Sequence, residues 1–287
     1  MTDLIIIGAG PAGISAALYV KRAGFSVTAI HNDSSALKKA EKIENFYGST
    51  CTGQELYEEG IRQARALGAE VITDEVTEVL ADENRFTVHT AGGLELASRT
   101  LLIATGKKRN TLNVPGLKEL EGRGVSYCAV CDAFFYRDKP VVVIGSGPYA
   151  KKEAEALFRC SSVTILLNGE RPEADFGDFT VIDKKISAVL GEQGKVAGVE
   201  FADGSRIECS GVFIALGTAG ALDFALKLGL PTEDGNIITD GGETPIPGLF
   251  ASGDCTGGIL QVAKAVNEGM EVGTKIIKLL KNSGSGN

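Results

Sequence analysis

Short apolar runs, each closed by a glycine turn, set the pattern of this chain. Leu4-Ile5-Ile6-Ile7 is the first, Gly8-Ala9-Gly10-Pro11-Ala12-Gly13 closes it, and Ile14 to Arg22 reads as a helix rich in Ala and Leu. Phe25 to Ile30 supplies a second buried strand. The opening segment is therefore a βαβ unit, and its right-handed crossover places both strands parallel in one sheet. Gln54 to Leu67 has helical composition. Val76 to Val79, Phe86 to His89 and Leu94 to Leu96 are short strands bounded by Asp, Asn and Gly, the pattern of an antiparallel meander. Leu101-Leu102-Ile103-Ala104-Thr105-Gly106 then returns to a buried strand.

The same order repeats further on. Val141-Val142-Val143-Ile144 leads into Gly145-Ser146-Gly147-Pro148-Tyr149-Ala150, a helix to about Cys160 and a strand over Val163 to Leu167. Val212-Phe213-Ile214-Ala215-Leu216-Gly217 closes that region. Gly248 to Asp254, with a helix from about Gly258 to Lys281, returns to the first. The expected fold is α/β, with two Rossmann-like, three-layer ββα nucleotide-binding domains, the second inserted in the first and reduced in size. Residues 1–109 and 217–287 would form one domain and residues 110–216 the other, and 287 residues suit two separate cores.

Composition narrows the function. A net charge of −8 argues against nucleic acid or an anionic membrane as partner, since both reward clustered Lys and Arg. No apolar run reaches the length of a membrane span. Leu4 to Val20 mimics a signal peptide, but Asp3 replaces the basic flank and glycines interrupt the stretch. Six cysteines, only two of them closely spaced, suit a cytoplasmic protein with one redox or metal pair.

Two motifs carry chemistry. Gly8, Gly10 and Gly13 let the backbone turn tightly, admit a pyrophosphate without a Cβ in the way and aim a helix N-terminus at its charge. At the end of the next strand, where an acidic side chain usually holds a ribose, stand His31-Asn32-Asp33. The second motif is Cys128-Ala129-Val130-Cys131-Asp132. Two thiols at this spacing can close a small ring, with the carboxylate moving the proton that exchange needs. The competing reading is half of a zinc site, but the other cysteines and both histidines are scattered, so no metal is expected.

With Gly122-Arg123-Gly124-Val125-Ser126, the CAVCD run and Phe134-Phe135-Tyr136 in view, the chain resembles the low-molecular-weight thioredoxin reductases. Ile43-Glu44-Asn45, Ala104-Thr105-Gly106 and Pro247 to Asp254 with Gln261 belong to the same likeness. The resemblance implies a homodimeric flavoprotein with FAD in the first domain. FAD would be held by Gly8, Gly10, Pro11, Ala12, Gly13, Asn45, Thr105, Gly106, Gly253, Asp254, Gln261 and Val262. It also implies that Cys128 and Cys131 take electrons from the flavin and reduce thioredoxin, with Asp132 as the acid.

One part of the family pattern is absent. Where the second domain of such reductases carries a His-Arg-Arg run for the 2′-phosphate of NADPH, this chain reads Asn168-Gly169-Glu170-Arg171-Pro172. Tyr149 brings a large ring into the glycine turn, and only residues 168–180 separate Leu167 from Val181-Ile182. The second half of the nucleotide-binding wall is expected to be missing. These departures resemble the NADPH-independent branch, the flavin-dependent ferredoxin:thioredoxin reductases. Ferredoxin is then the expected donor, docking on a basic cluster such as Lys38-Lys39-Lys42, Lys107-Lys108-Arg109 or Lys151-Lys152. An NADPH-fed reductase is the alternative.

Overall fold

A computed structural model of the chain describes residues 1–83, 85–106 and 112–284, so the basic cluster Lys107-Lys108-Arg109 lies outside the described residues. The chain divides into two compact units, Met1–Lys108 with Gly220–Asn287, and Arg109–Ala219.

In the first unit the apolar run forms the strand Thr2–Ile7 at the centre of a parallel sheet, between Val27–His31 and Glu95–Ile103. Glu70–Thr73 extends one side, and Leu249–Ala251 pairs with Glu95–Ile103 on the other. Leu4, Ile5 and Ile6 are fully buried, as strands covered on both faces must be. The expected meander is present over Val76–Asp82, Arg85–Thr90 and Glu95–Ile103. Its last strand differs from expectation: the separate runs at Leu94 and Leu101 are one continuous strand, exposed at its start and buried at its end. The first half serves the meander and the second half the parallel core, so its polarity changes along its length.

Helix Pro11–Arg22 starts with Pro at a position where no amide hydrogen is missed. It lies against Val262–Gly284, and small residues bring the two backbones together. A Cβ on Gly269 would stand 2.1 Å from the Ala12 carbonyl oxygen, and one on Gly273 would stand 3.2 Å from that of Ala16. Helix Gly53–Ala66 opens with a capping box between Thr52 and Glu55. The last helix starts at Val262, later than the Gly258 expected, because Gly257 and Gly258 have φ of +84° and +75°, which no right-handed helix accommodates.

The second unit repeats the arrangement. Pro140–Ile144 lies between Ser162–Leu166 and Gly211–Ile214, all parallel, and Val125–Ser126 extends the sheet beyond Gly211–Ile214. Helix Pro148–Ala156 follows the glycine turn, ending earlier than the expected Cys160. An antiparallel sheet of Ile186–Glu192, Lys195–Phe201 and Arg206–Glu208 completes the unit. One expectation is corrected. The wall of the nucleotide fold is not missing its strand, because Thr180–Ile182 pairs in parallel with Ser162–Leu166. What is absent is the crossover helix: residues 167–179 run from one strand to the other without one. The apolar pair Val181-Ile182 is visible in the sequence, but in a strand of three residues, two of them exposed, it is too short to be read as one.

Candidate active site

The redox pair sits at the end of strand Val125–Ser126, where the chain leaves the sheet and turns into the single-turn helix Ala129–Asp132. Cys128 is its cap residue. Its Sγ accepts from the Cys131 amide at 3.2 Å and its carbonyl from the Asp132 amide at 3.2 Å, so the three-residue spacing brings both sulfurs to one side of one turn. The sulfurs are joined as a disulfide. The two ends of the bond differ: Cys128 is buried, whereas Cys131 is exposed beside Val130, Phe134 and Phe135, the last two 76 % and 66 % exposed.

Asp132 is held by a residue that sequence reasoning missed. Buried Ser126 donates to Asp132 Oδ2 at 2.6 Å while its Oγ accepts from the Cys128 amide at 3.1 Å. One hydroxyl thus ties the Asp132 carboxylate to the backbone of the buried cysteine. The only local sign was a serine ending an apolar strand. Tyr136 stands nearby, and burial, with Asp132 and Cys209 close by, raises its phenol.

In the first unit the glycines expected to admit a nucleotide, with Thr105 and Gly253, lie at the carboxyl ends of the parallel strands, the usual place for a ligand in such a sheet. Gly8 has φ +110°, and a Cβ there would lie 2.3 Å from the Ala104 carbonyl oxygen. A Cβ on Gly13 would lie 2.0 Å from that of Gly8, and one on Gly253 2.9 Å from Ala12. Around Gly10, by contrast, nothing lies within 4 Å of the built position, so the turn is packed on its inner side and open at the tip. Two hydroxyls at these strand ends, Thr105 Oγ1 and Ser252 Oγ, are buried without a hydrogen-bond partner among the described residues. Buried polar groups are rarely left so, and a ligand with phosphate and hydroxyl groups bound here would supply what they lack. Asn45 donates to Gln261 Oε1 at 2.9 Å, joining two expected site residues distant in sequence. The loop carrying Asp254 is braced from Val262–Gly284: Glu268 accepts from the Gly253 amide at 2.8 Å, and Lys264 donates to the Gly253 carbonyl at 2.9 Å. Lys264 and Glu268 were not legible as site residues, since alone they look like an exposed ion pair one helical turn apart.

His31 ends its strand buried, with Nδ1 2.9 Å from the Tyr57 hydroxyl and Nε2 3.2 Å from Thr73 Oγ1. Asp33 turns outward to Lys38 at 2.5 Å, which lowers its carboxyl. Burial lowers the His31 imidazole below its ordinary 6.5 and pushes the Tyr57 phenol up to about 12. A histidine held neutral in the folded state takes up its proton more readily when unfolded. Its stabilising contribution is therefore present above about pH 6.5 and is lost as pH falls below it. Thermal unfolding from pH 8 down to pH 5 should show that decline. The acid-side slope should be smaller in His31→Gln, by at most about 1.4 kcal/mol per pH unit.

Cys255, beside Asp254, is fully buried, and burial pushes its thiol up to about 12; Cys209 behaves alike. Both are inert neutral thiols. Among the described residues no group of three or more His, Cys, Asp or Glu is placed to hold a metal ion, and no helix is long and apolar enough to cross a membrane.

Fold and site together define a disulfide oxidoreductase built on two dinucleotide-type units. The family profile for pyridine nucleotide-disulphide oxidoreductases matches residues 2–269. The thioredoxin reductase of Bacillus subtilis (strain 168) is 37% identical over 273 residues, covering 88% of this chain and 86% of the relative. Among solved structures, the atypical thioredoxin reductase TRi from Desulfovibrio vulgaris Hildenborough has a TM-score of 0.92 at 37% identity, over 98% of this chain and 99% of that one. A ferredoxin-flavin thioredoxin reductase from Clostridium acetobutylicum has a TM-score of 0.74 at 28% identity, over 98% of each chain. The chain belongs to the pyridine nucleotide-disulphide oxidoreductase family, among its thioredoxin reductases, which are FAD flavoenzymes. The open tip at Gly10 and the unpartnered hydroxyls of Thr105 and Ser252 fit that cofactor.

Proposed function

We propose that this enzyme takes electrons from reduced ferredoxin, passes them through FAD to the Cys128–Cys131 disulfide and reduces thioredoxin, without using NADPH. One observation carries the choice of donor. Gly10 and Gly147 are equivalent residues, each the cap of a helix that begins with Pro and each in extended backbone. The space over Gly10 is open, but a Cβ on Gly147 would find the Glu173 carboxylate at 3.6 Å and the Gly217 carbonyl at 3.5 Å. Glu173 donates its amide to the Ser146 carbonyl at 2.7 Å, and Ser146 Oγ donates to Glu170 at 3.0 Å. The segment that replaces the crossover helix thus lays two carboxylates against the turn where a pyrophosphate would need cations or free amides. Tyr149 is not the obstacle expected, since its ring is buried and does not stand over Gly147.

FAD accepts electrons singly and delivers them in pairs, which joins a one-electron donor to a disulfide. Two reduced ferredoxins and two protons convert the Cys128–Cys131 bond to two thiols. With plant-type ferredoxin near about −400 mV and thioredoxin near about −270 mV, the transfer is downhill by about 6 kcal/mol. Exposed Cys131 is the sulfur an outside protein can reach, and Phe134, Phe135 and Val130 give thioredoxin an apolar surface beside it. Asp132, oriented by Ser126, moves the proton. For ferredoxin, Lys38 and Lys42 are already paired with Asp33 and Glu44, which weakens that cluster as a docking site. A homodimer in the cytoplasm completes the reading.

Anaerobic titration of the holoenzyme with NADPH, NADH and reduced ferredoxin tests it. Ferredoxin should bleach the flavin within a turnover time and neither nucleotide should. Rapid bleaching by NADPH would return the chain to the nucleotide-fed reductases.

A further inference from the structure

Glu153 is a buried carboxylate outside the machinery described so far. It is 1 % exposed, lies on helix Pro148–Ala156, and its Oε2 accepts a 2.7 Å hydrogen bond from the backbone N–H of Ala129. That amide belongs to the peptide bond immediately following Cys128, whose side chain is 3 % exposed. The carboxylate therefore lies at the peptide that joins Cys128 to Ala129. One neighbour pulls the other way, since the Cys131 amide points at Cys128 Sγ from 3.2 Å and favours a thiolate there.

We propose that Glu153 positions the Cys128 peptide and, through its charge, keeps Cys128 the thiol of the reduced pair, which leaves Cys131 as the thiolate that acts on thioredoxin. A negative charge next to a buried group disfavours a second one. Titratable groups around the turn include Asp132 within it, Tyr136 just after it and Cys209 close to Tyr136. Glu153 is supplied by helix Pro148–Ala156, and its contact falls on the Cys128 side.

The inference rests on the disulfide exchange proposed above and assigns an order to it. The Cys131 thiolate attacks one sulfur of the thioredoxin disulfide. That bond breaks, a Cys131–thioredoxin disulfide forms, and the departing sulfur takes the Asp132 proton. Cys128 then gives its proton to Asp132 and attacks Cys131 Sγ. The intramolecular disulfide re-forms, and the second thioredoxin sulfur leaves with that proton. Two electrons and two protons have then passed to thioredoxin. If Cys128 ionised first, the buried sulfur would carry the charge and the exposed one would not.

The test uses full-length holoenzyme carrying Cys131→Ser, with Cys128 alkylation by iodoacetamide read by peptide mass across a pH series. Adding Glu153→Gln, which keeps an acceptor for Ala129, should lower the Cys128 midpoint by about one pH unit, or about tenfold more thiolate below it. Glu153→Asp should restore most of the original midpoint. Cys131, followed in the Cys128→Ser background, should move far less. An unchanged Cys128 midpoint in Glu153→Gln, or an equal shift at Cys131, overturns the proposal. No electron donor enters this assay, so a wrong assignment of ferredoxin would show only in the flavin titration.

Discussion

Replacing Cys131 with Ser should reduce thioredoxin turnover by at least about a thousandfold while the purified protein keeps its flavin colour. The expectation follows from the asymmetry of the pair. Cys131 is the exposed sulfur, and Ser cannot accept electrons from a flavin or exchange with a disulfide. Losses of this order are usual when a covalent nucleophile is removed. Cys131 belongs to the second unit, and FAD affinity and the unfolding temperature are expected to stay near those of the parent protein. Steady-state reduction of thioredoxin, alongside the flavin spectrum of the same sample, separates the two effects. A Cys131→Ser enzyme that still turns over at the parental rate would remove the disulfide from the electron path.

The second large effect concerns two glycines in one turn. Gly13→Ala should destabilise the protein by about 3 kcal/mol or more, because its Cβ would fall 2.0 Å from the Gly8 carbonyl oxygen and the backbone must separate to admit it. Gly10→Ala should leave the unfolding temperature of the apoprotein nearly unchanged, since nothing lies within 4 Å of the added methyl. In that variant the loss should appear in FAD affinity, as the methyl enters the space a phosphate would occupy. Calorimetry of both apoproteins, with FAD titration of Gly10→Ala, distinguishes a packing glycine from a binding one. Equal loss of apoprotein stability in both would mean that the tip of the turn is closed and is not where the cofactor lies.

How much could be read from the residues follows from the distance over which each feature acts. The strand, glycine turn and helix at Leu4 to Arg22 are a local pattern, and the structure contains them with the strand start moved to Thr2 and the helix start to Pro11. The CxxC turn is equally local, because three residues of spacing determine the geometry of a single turn. Features set by partners far along the chain were not legible. The antiparallel and parallel duties of Glu95–Ile103 were read as separate strands because its two halves meet different neighbours. The short strand Thr180–Ile182 is held by pairing with Ser162–Leu166, with almost no apolar pattern of its own.

At the sites the same division applies. Residue identity and spacing alone were enough for a tight glycine turn and a pair of sulfurs that can bond, and the family resemblance for the want of a cationic run, since each is a property of a few consecutive side chains. Only the folded chain brought Glu173 to Gly147, Ser126 to Asp132, Glu153 to the peptide after Cys128 and Glu268 to the loop of Asp254. These contacts depend on strand order and helix placement. A carboxylate acquires its function from what the backbone sets beside it, and in this protein those at the Gly147 turn, at the loop of Asp254 and at the peptide after Cys128 were placed by tertiary structure.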